Sequence, residues 1–165
     1  MTVLATAPIV TRIEDGMYDM IAGMTKGAYN FDWGTVNQPD MAKQEFPSAE
    51  IMLVEETNLD EEDGAWANAY MNEAMFNIVV RARLSQEVNI PIYEINKELN
   101  LALDDLKKLF GTTYSTGVSI GDQIMYRGME RIIEPQGDLF IPKRMVTHWR
   151  VTYTQDRESP TTSGE

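Results

Sequence analysis

The chain opens with apolar side chains spaced three to four residues apart. They recur from Pro8, a residue that suits a first helical turn, and predict a helix over residues 8–26 that ends at Gly27. A stronger helical pattern follows Pro91 in the segment IYEINKELNLALDDLKKLFG, with Gly111 expected as its C-terminal cap. The predicted buried stripes are Ile9, Ile13, Met17, Ile21 and Met24 in the first helix, and Ile95, Leu99, Leu103, Leu106 and Phe110 in the second.

Alternating apolar and polar residues predict strands between and after the helices. The clearest is MFNIVVRARLS, and FPSAEIMLVEE before it predicts a strand over residues 50–56. Two further strands are expected, one near residues 123–134 and one over residues 145–154. The side chains expected to face inward are Phe76, Ile78, Val80, Ala82 and Leu84 in MFNIVVRARLS, and Trp149, Val151 and Tyr153 in the last strand. Those expected to face outward are Asn77, Arg81, Arg83, His148, Arg150 and Thr152.

The elements follow one another in the order α-β-β-α-β-β. This order predicts an α+β fold, with two helices packed on one face of a mixed, mostly antiparallel sheet of about four strands. The first two strands should form a hairpin whose long tip is the acidic segment NLDEEDGAWANAY. Residues 27–45 contain Gly, Asn, Asp and Pro and are expected to form a long loop. One domain is expected over residues 1–154, followed by a polar, disordered tail over residues 155–165.

Composition and charge narrow the class of protein. The 165-residue chain is 43% hydrophobic with a formal charge of −12, which is typical of an acidic, soluble globular protein. Neither a membrane span nor a signal peptide is expected, because the apolar runs are short and MTVLATAP lacks a basic region. The chain has no cysteine, so it has no disulfide and no thiol nucleophile. Nine acidic residues and no basic residue lie between Lys43 and Arg81, which argues against a site that binds nucleic-acid phosphates.

The four consecutive acids at positions 60–63 raise the question of a metal site. When Gly64 is placed at the sixth position of a calcium loop, Leu59 falls at the first position and Tyr70 at the twelfth. A calcium loop requires oxygen ligands from carboxylates at those two positions. We therefore interpret the acidic run as a solvated hairpin tip and expect no metal ion.

No catalytic arrangement emerges from the other polar residues. His148 is the only histidine, and it has no cysteine or second histidine to act with. Asp104 and Asp105 are adjacent on the second helix, so they point in different directions and are interpreted as solvated charges. The Gly/Ser/Thr segment 111–121 is not followed by the Gly-Lys-Ser/Thr of a phosphate loop. We expect neither an enzyme nor a cofactor.

The remaining features are those of a protein interface. Arginines on the outward strand face and acids at the hairpin tip are complementary patches on one chain. A self-assembling ring joins two different patches of identical subunits in this way. Trp33 and Trp66 lie in predicted loops, where a large aromatic side chain either packs locally or anchors an interface. The candidate contact residues are Trp33, Asp60, Glu61, Glu62, Asp63, Trp66, Arg81, Arg83 and Arg150.

A series of segments spans residues 8–154. An N-terminal helix leads through a loop to FPSAEIMLVEE, the acidic turn and MFNIVVRARL, and a helix ending in DDLKKLFG and the closing strand THWRVTYT follow. This series resembles the tail terminator (tail completion) proteins of long-tailed bacteriophages. The resemblance implies a six-membered ring that caps the head-proximal end of the tail tube, stops tube polymerisation and faces the head connector. It implies no catalytic residues.

The same resemblance implies partners and a location. The partners would be further copies of the chain, the tail tube protein, the head–tail connector proteins and, in a contractile tail, the sheath protein. The protein would reside in the virion at the head-proximal end of the tail, and in the host cytoplasm during assembly. DNA would pass through the lumen without specific binding, because acidic side chains repel it over a Debye length of about 8 Å.

Three other interpretations stay open at the level of sequence. The chain could be another neck or tail component, such as a head-completion protein or a tube-like subunit. It could be a small non-enzymatic domain that binds a peptide or metabolite in an apolar cleft. An enzyme would have to use Asp104, Asp105 or His148, and no neighbouring residue type supports any of them.

Overall fold

The computed structural model describes residues 8–24, 35–36, 48–59, 69–81, 91–112, 124–136 and 139–156. Its elements are α1 (Ile9–Ala22), β1 (Thr35–Val36), β2 (Ser48–Asn58), β3 (Ala69–Arg81), α2 (Ile92–Thr112), β4 (Met125–Gln136) and β5 (Leu139–Asp156). The predicted α+β class is confirmed, and the long elements follow the predicted order α-β-β-α-β-β.

The strands form one sheet in the order β1-β2-β3-β5-β4. The four long strands lie antiparallel to their neighbours, as expected for a mostly antiparallel sheet, and β2 and β3 form the expected hairpin. The tip of this hairpin, residues 60–68, lies outside the described residues. β1 pairs in parallel with β2 through Ser48 and Ala49. The prediction of loop throughout 27–45 was therefore wrong at Thr35–Val36, where backbone groups on the outer edge of β2 pair with a short extended segment.

Pairing between β3 and β5 sets the register of the sheet. Phe76 lies opposite Trp149, and this row continues to Leu53 in β2 and Tyr126 in β4. Successive rows point to opposite faces because side chains alternate along a strand. The two adjacent rows are Met52–Asn77–His148–Gly128 and Glu55–Met75–Arg150–Met125.

Both helices pack on the face that carries Phe76 and Trp149. α1 contacts β1 and β2, whereas α2 contacts β3, β4 and β5. The predicted inward positions are buried in one cluster: Ile9, Ile13, Met17, Ile21, Met24, Phe76, Ile78, Val80, Ile95, Leu99, Leu106, Phe110, Trp149, Val151 and Tyr153. Leu103 is partly buried against this cluster. Ala82 and Leu84 lie outside the described residues.

Three element ends differ from the prediction. α1 ends at Ala22 and not at residue 26. Directly after Ala22, the Gly23 N–H bonds the Asp19 carbonyl at 3.0 Å. α2 continues through Gly111 to Thr112, so Gly111 is a helical residue and not the cap. β5 runs to Asp156, two residues past the predicted end of the domain, because Gln155 and Asp156 pair with β3.

Candidate interaction surface

The face of the sheet opposite α1 and α2, called the outer face here, carries charged side chains that pair across strands. Arg81 Nη1 lies 3.2 Å from Glu50 Oε1, which links β3 to β2. Arg150 Nη1 lies 3.4 Å from Glu73 Oε2, which links β5 to β3. A looser pair joins Arg144 on β5 to Glu134 on β4, with 3.9 Å between Nε and Oε1. These pairs place acid beside base on the outer face.

Of the candidate contact residues, only two fall within the described residues. Arg81 and Arg150 both lie on the outer face, but Arg150 is opposite Met75, six residues from Arg81 along β3. At about 3.3 Å per residue the two arginines are roughly 20 Å apart, so they do not form one cluster. Each already has an acidic partner, and pairing with another acid would require it to exchange partners. The others, Trp33, Asp60, Glu61, Glu62, Asp63, Trp66 and Arg83, lie outside the described residues.

His148 points to the outer face, as predicted, and both ring nitrogens have neighbours. Nδ1 lies 2.7 Å from Asn77 Oδ1, and Nε2 lies 3.4 Å from Glu130 Oε1. Neither neighbour is an alcohol or thiol nucleophile of the kind that an imidazole base activates. The contacts tie β5 to β3 on one side and to β4 on the other, which is a structural role.

Asp104 and Asp105 differ in their surroundings. Asp104 is exposed, but Asp105 is only 1% exposed. The prediction of two solvated charges is therefore wrong for Asp105, which one helical step of about 100° turns from solvent into the protein. The sequence carried no signal for this, because Asp105 falls at the margin of the apolar stripe.

Beyond Ala49, where its pairing with β1 ends, β2 exposes three consecutive apolar side chains. Met52 is 43% exposed, Leu53 37% and Val54 56%. A regular strand would turn every second side chain toward the core, but a bulge between Leu53 and Glu55 leaves Val54 without a partner in β3. Consecutive exposed apolar residues are unfavourable unless something covers them. The signal for this feature is the run IMLV, which lacks alternation.

β4, the last strand on the other side of the sheet, has a comparable edge. Met125, Tyr126 and Met129 are exposed on it, and a bulge between Tyr126 and Gly128 leaves Arg127 without a partner in β5. Gly128 has a φ of 140°, a conformation that side chains with a Cβ rarely adopt. On the helix side, Arg131 Nη2 donates to Asn100 Oδ1 of α2, and partial burial lowers the pKa of the Arg131 guanidinium.

A cleft of about 260 Å³ lies between the end of α2 and the start of β4. Tyr126 and Trp149 form one aromatic wall, with ring centroids 5.3 Å apart. The Lys107 ammonium lies 4.4 Å from the centre of the Tyr126 ring, a cation–π contact at the rim. Gly111 and Ile124 complete the lining, and residues 113–123, which join them, lie outside the described residues.

Neither a metal centre nor a membrane helix is found within the described ranges. There, no three His, Asp or Glu side chains are grouped so that they could hold a metal ion, and the acidic run 60–63 falls outside those ranges. Neither α1 nor α2 combines the length and apolar character needed to cross a membrane. Comparison with protein-family models and with curated proteins finds no match to this chain.

Proposed function

We propose that the chain is a structural subunit of a bacteriophage tail, a tail terminator that assembles into a six-membered ring. The observation that carries the proposal is the pair of apolar edges on β2 and β4, at opposite sides of one sheet. A subunit with two different adhesive edges joins its neighbours head to tail, and such contacts produce rings when the rotation closes.

The fold and the chemistry agree with this proposal. The order α-β-β-α-β-β is the one that the tail terminator resemblance implies, although a fold by itself does not specify a function. Within the described residues, Arg81, His148 and Arg150 each lie beside a carboxylate of a neighbouring strand. These contacts tie neighbouring strands together, as a structural role requires.

In this role the ring caps the head-proximal end of the tail tube and meets the head–tail connector. Its partners are the tube protein, the connector proteins and, in a contractile tail, the last ring of sheath protein. DNA passes through the lumen. The protein enters the virion at the head–tail junction after assembly in the host cytoplasm.

Two experiments on the phage test the proposal together. Gold-labelled antibody to the protein should form one cluster at the head–tail junction in electron micrographs. Deletion of the gene should give headless tails of uncontrolled length, and the wild-type chain supplied in trans should restore finished particles. Label along the whole tail would indicate a tube subunit, and particles without label would contradict any role in the virion.

A second candidate function has one observation in its favour, the aromatic cleft between α2 and β4. Its size and apolar lining suit a small ligand with an anionic group that reaches Lys107. Thermal-shift screening of small aromatic acids tests this function. A stabilising compound should lose its effect in Lys107→Ala and keep it in Lys97→Ala, a variant that removes another exposed lysine of α2.

A further inference from the structure

The apolar edges of β2 and β4 lie at the same level of the sheet. Leu53 and Tyr126 belong to one row, through Phe76 and Trp149, and both bulges adjoin this row. Val54 follows Leu53 and Arg127 follows Tyr126, so the two unpaired residues lie within about one row of each other. A row spacing is about 3.3 Å along the strands.

The two edges also match in strand direction. Three antiparallel steps separate β2 from β4, so the two strands run in opposite directions within one copy. When β4 of one copy approaches β2 of the next, the new neighbours are therefore antiparallel, like the pairs inside the sheet. Because the two edges lie at the same level of the sheet, neighbouring copies would meet without being displaced from each other along the strands. A closed ring requires such contacts, since a displacement at every contact would give a helical filament.

Charge adds a further match. Glu55, beside Val54, has no cationic partner in the described part of the chain and bonds only the Thr57 hydroxyl, at 3.4 Å. Arg127 is exposed and has no acidic partner within those same ranges. Each of these charged residues adjoins the apolar residues of its own edge. Placed in register, the acid of one copy comes within reach of the arginine of the next.

We infer that Met52–Val54 of one copy dock against Met125, Tyr126 and Met129 of the next, with Glu55 pairing to Arg127 across the contact. The inference rests on the proposed ring function and identifies the surface that closes the ring. The contact is made by side chains and not by a continuous backbone ladder. The Leu53 N–H already donates to Glu14 Oε2 at 3.0 Å, and the bulge at Arg127 interrupts β4.

Cysteine cross-linking tests this contact directly, because the chain contains no cysteine of its own. Particles carrying the double variant Val54→Cys/Met125→Cys are treated with a short bismaleimide and analysed by denaturing gel. We expect a ladder of covalent oligomers that ends at the size of the ring. The matched control is Val54→Cys/Tyr93→Cys, since Tyr93 is 71% exposed and lies on α2, not on either edge strand; it should remain monomeric.

The outcomes separate this inference from the proposed function. If the particles contain the protein but give no ladder, the proposed docking surface is wrong and the proposed ring function is unaffected. Dimers from Val54→Cys or Met125→Cys alone would indicate a symmetric contact between like edges and also overturn it. Particles that lack the protein overturn both proposals.

Charge reversal in the same double-cysteine background tests the pairing of Glu55 with Arg127. Glu55→Lys should reduce the cross-linking yield about two- to fivefold, the range expected for one exposed ion pair. Adding Arg127→Glu should restore the yield, since the pair is then re-formed with opposite signs. Equal yields in all three backgrounds would remove the charge pairing from the inference.

Discussion

Removing the hydroxyl of Thr147 should destabilise the protein more than the small change in shape suggests. Thr147 is fully buried, and its Oγ1 donates to the Ile78 carbonyl at 3.1 Å. The same oxygen accepts the indole N–H of Trp149 at 2.7 Å. Trp149 in turn packs against Phe110 of α2 and Tyr126 of β4, with ring centroids 4.9 and 5.3 Å away. One hydroxyl thus fixes the side chain that joins three elements.

The magnitude follows from what Thr147→Val leaves behind. The indole N–H of Trp149 would be buried without a partner, which costs about 1–3 kcal/mol, and the bond to Ile78 would be lost as well. The added methyl group raises the free energy of unfolding by about 0.8 kcal/mol, because it buries additional apolar surface. We therefore expect a net loss of about 2 kcal/mol. In a protein of this size that corresponds to a fall of about 4–8 °C in Tm.

Urea denaturation followed by circular dichroism measures this loss as a shift in midpoint at constant slope. In a Trp149→Phe background the indole donor is absent, so the same Thr147→Val change should cost less than about 1 kcal/mol. An equal cost in both backgrounds would show that the Thr147–Trp149 bond contributes nothing. A Thr147→Val variant as stable as the wild type would refute the reasoning as a whole.

Three further predictions concern single contacts. Gly128→Ala should lower the unfolding free energy by about 1–3 kcal/mol in urea titration. The added Cβ would meet no neighbouring atom, so the loss would come from the φ of 140°, which is strained for alanine. Glu14→Ala should expose the Leu53 amide to faster hydrogen exchange at a cost of about 1 kcal/mol, and Glu14→Gln should retain most of the protection. Burial, with the Glu56 carboxylate as hydrogen-bond partner, raises the pKa of the Tyr153 phenol. The folded state therefore keeps a proton that the unfolded chain releases near pH 10, and stability should fall as the pH rises above about 10. The matched Tyr153→Phe variant should show a smaller fall over the same range.

The predictable part of the fold is the part that periodicity controls. Buried faces can be identified from spacing alone, without knowing which element packs against them. The examples are the helical spacing from Ile9 to Met24 and the alternation of Phe76, Ile78 and Val80. The hairpin of β2 and β3 follows from their succession along the chain. These features depend on local sequence, which is why they were predicted correctly.

The bulges at Val54 and Arg127 were not predictable in the same way. A bulge depends on which residue of the neighbouring strand lies opposite, and that register is set by Phe76 and Trp149, far away in the sequence. Once the register is fixed, one extra residue in β2 and one in β4 change which side chains are exposed. The exposure of the apolar residues at the two edges therefore depends on the register, whereas the outward arginines follow from alternation alone.

For the proposed ring, the energies favour the edges over the outer face as the contact between copies. Moving Arg81 or Arg150 to an acid of a neighbouring copy would break one partly buried ion pair to form another, so the number of pairs would not change. Covering a half-exposed Met, Leu or Val gives about 1 kcal/mol, half the value for full burial of such a side chain. The proposed docking contact contains six exposed side chains of apolar or aromatic type from β2 and β4, and each copy in the proposed ring uses both edges. Burial at the edges therefore exceeds any gain from exchanging arginine partners, while Glu55 and Arg127 restrict which edges can meet.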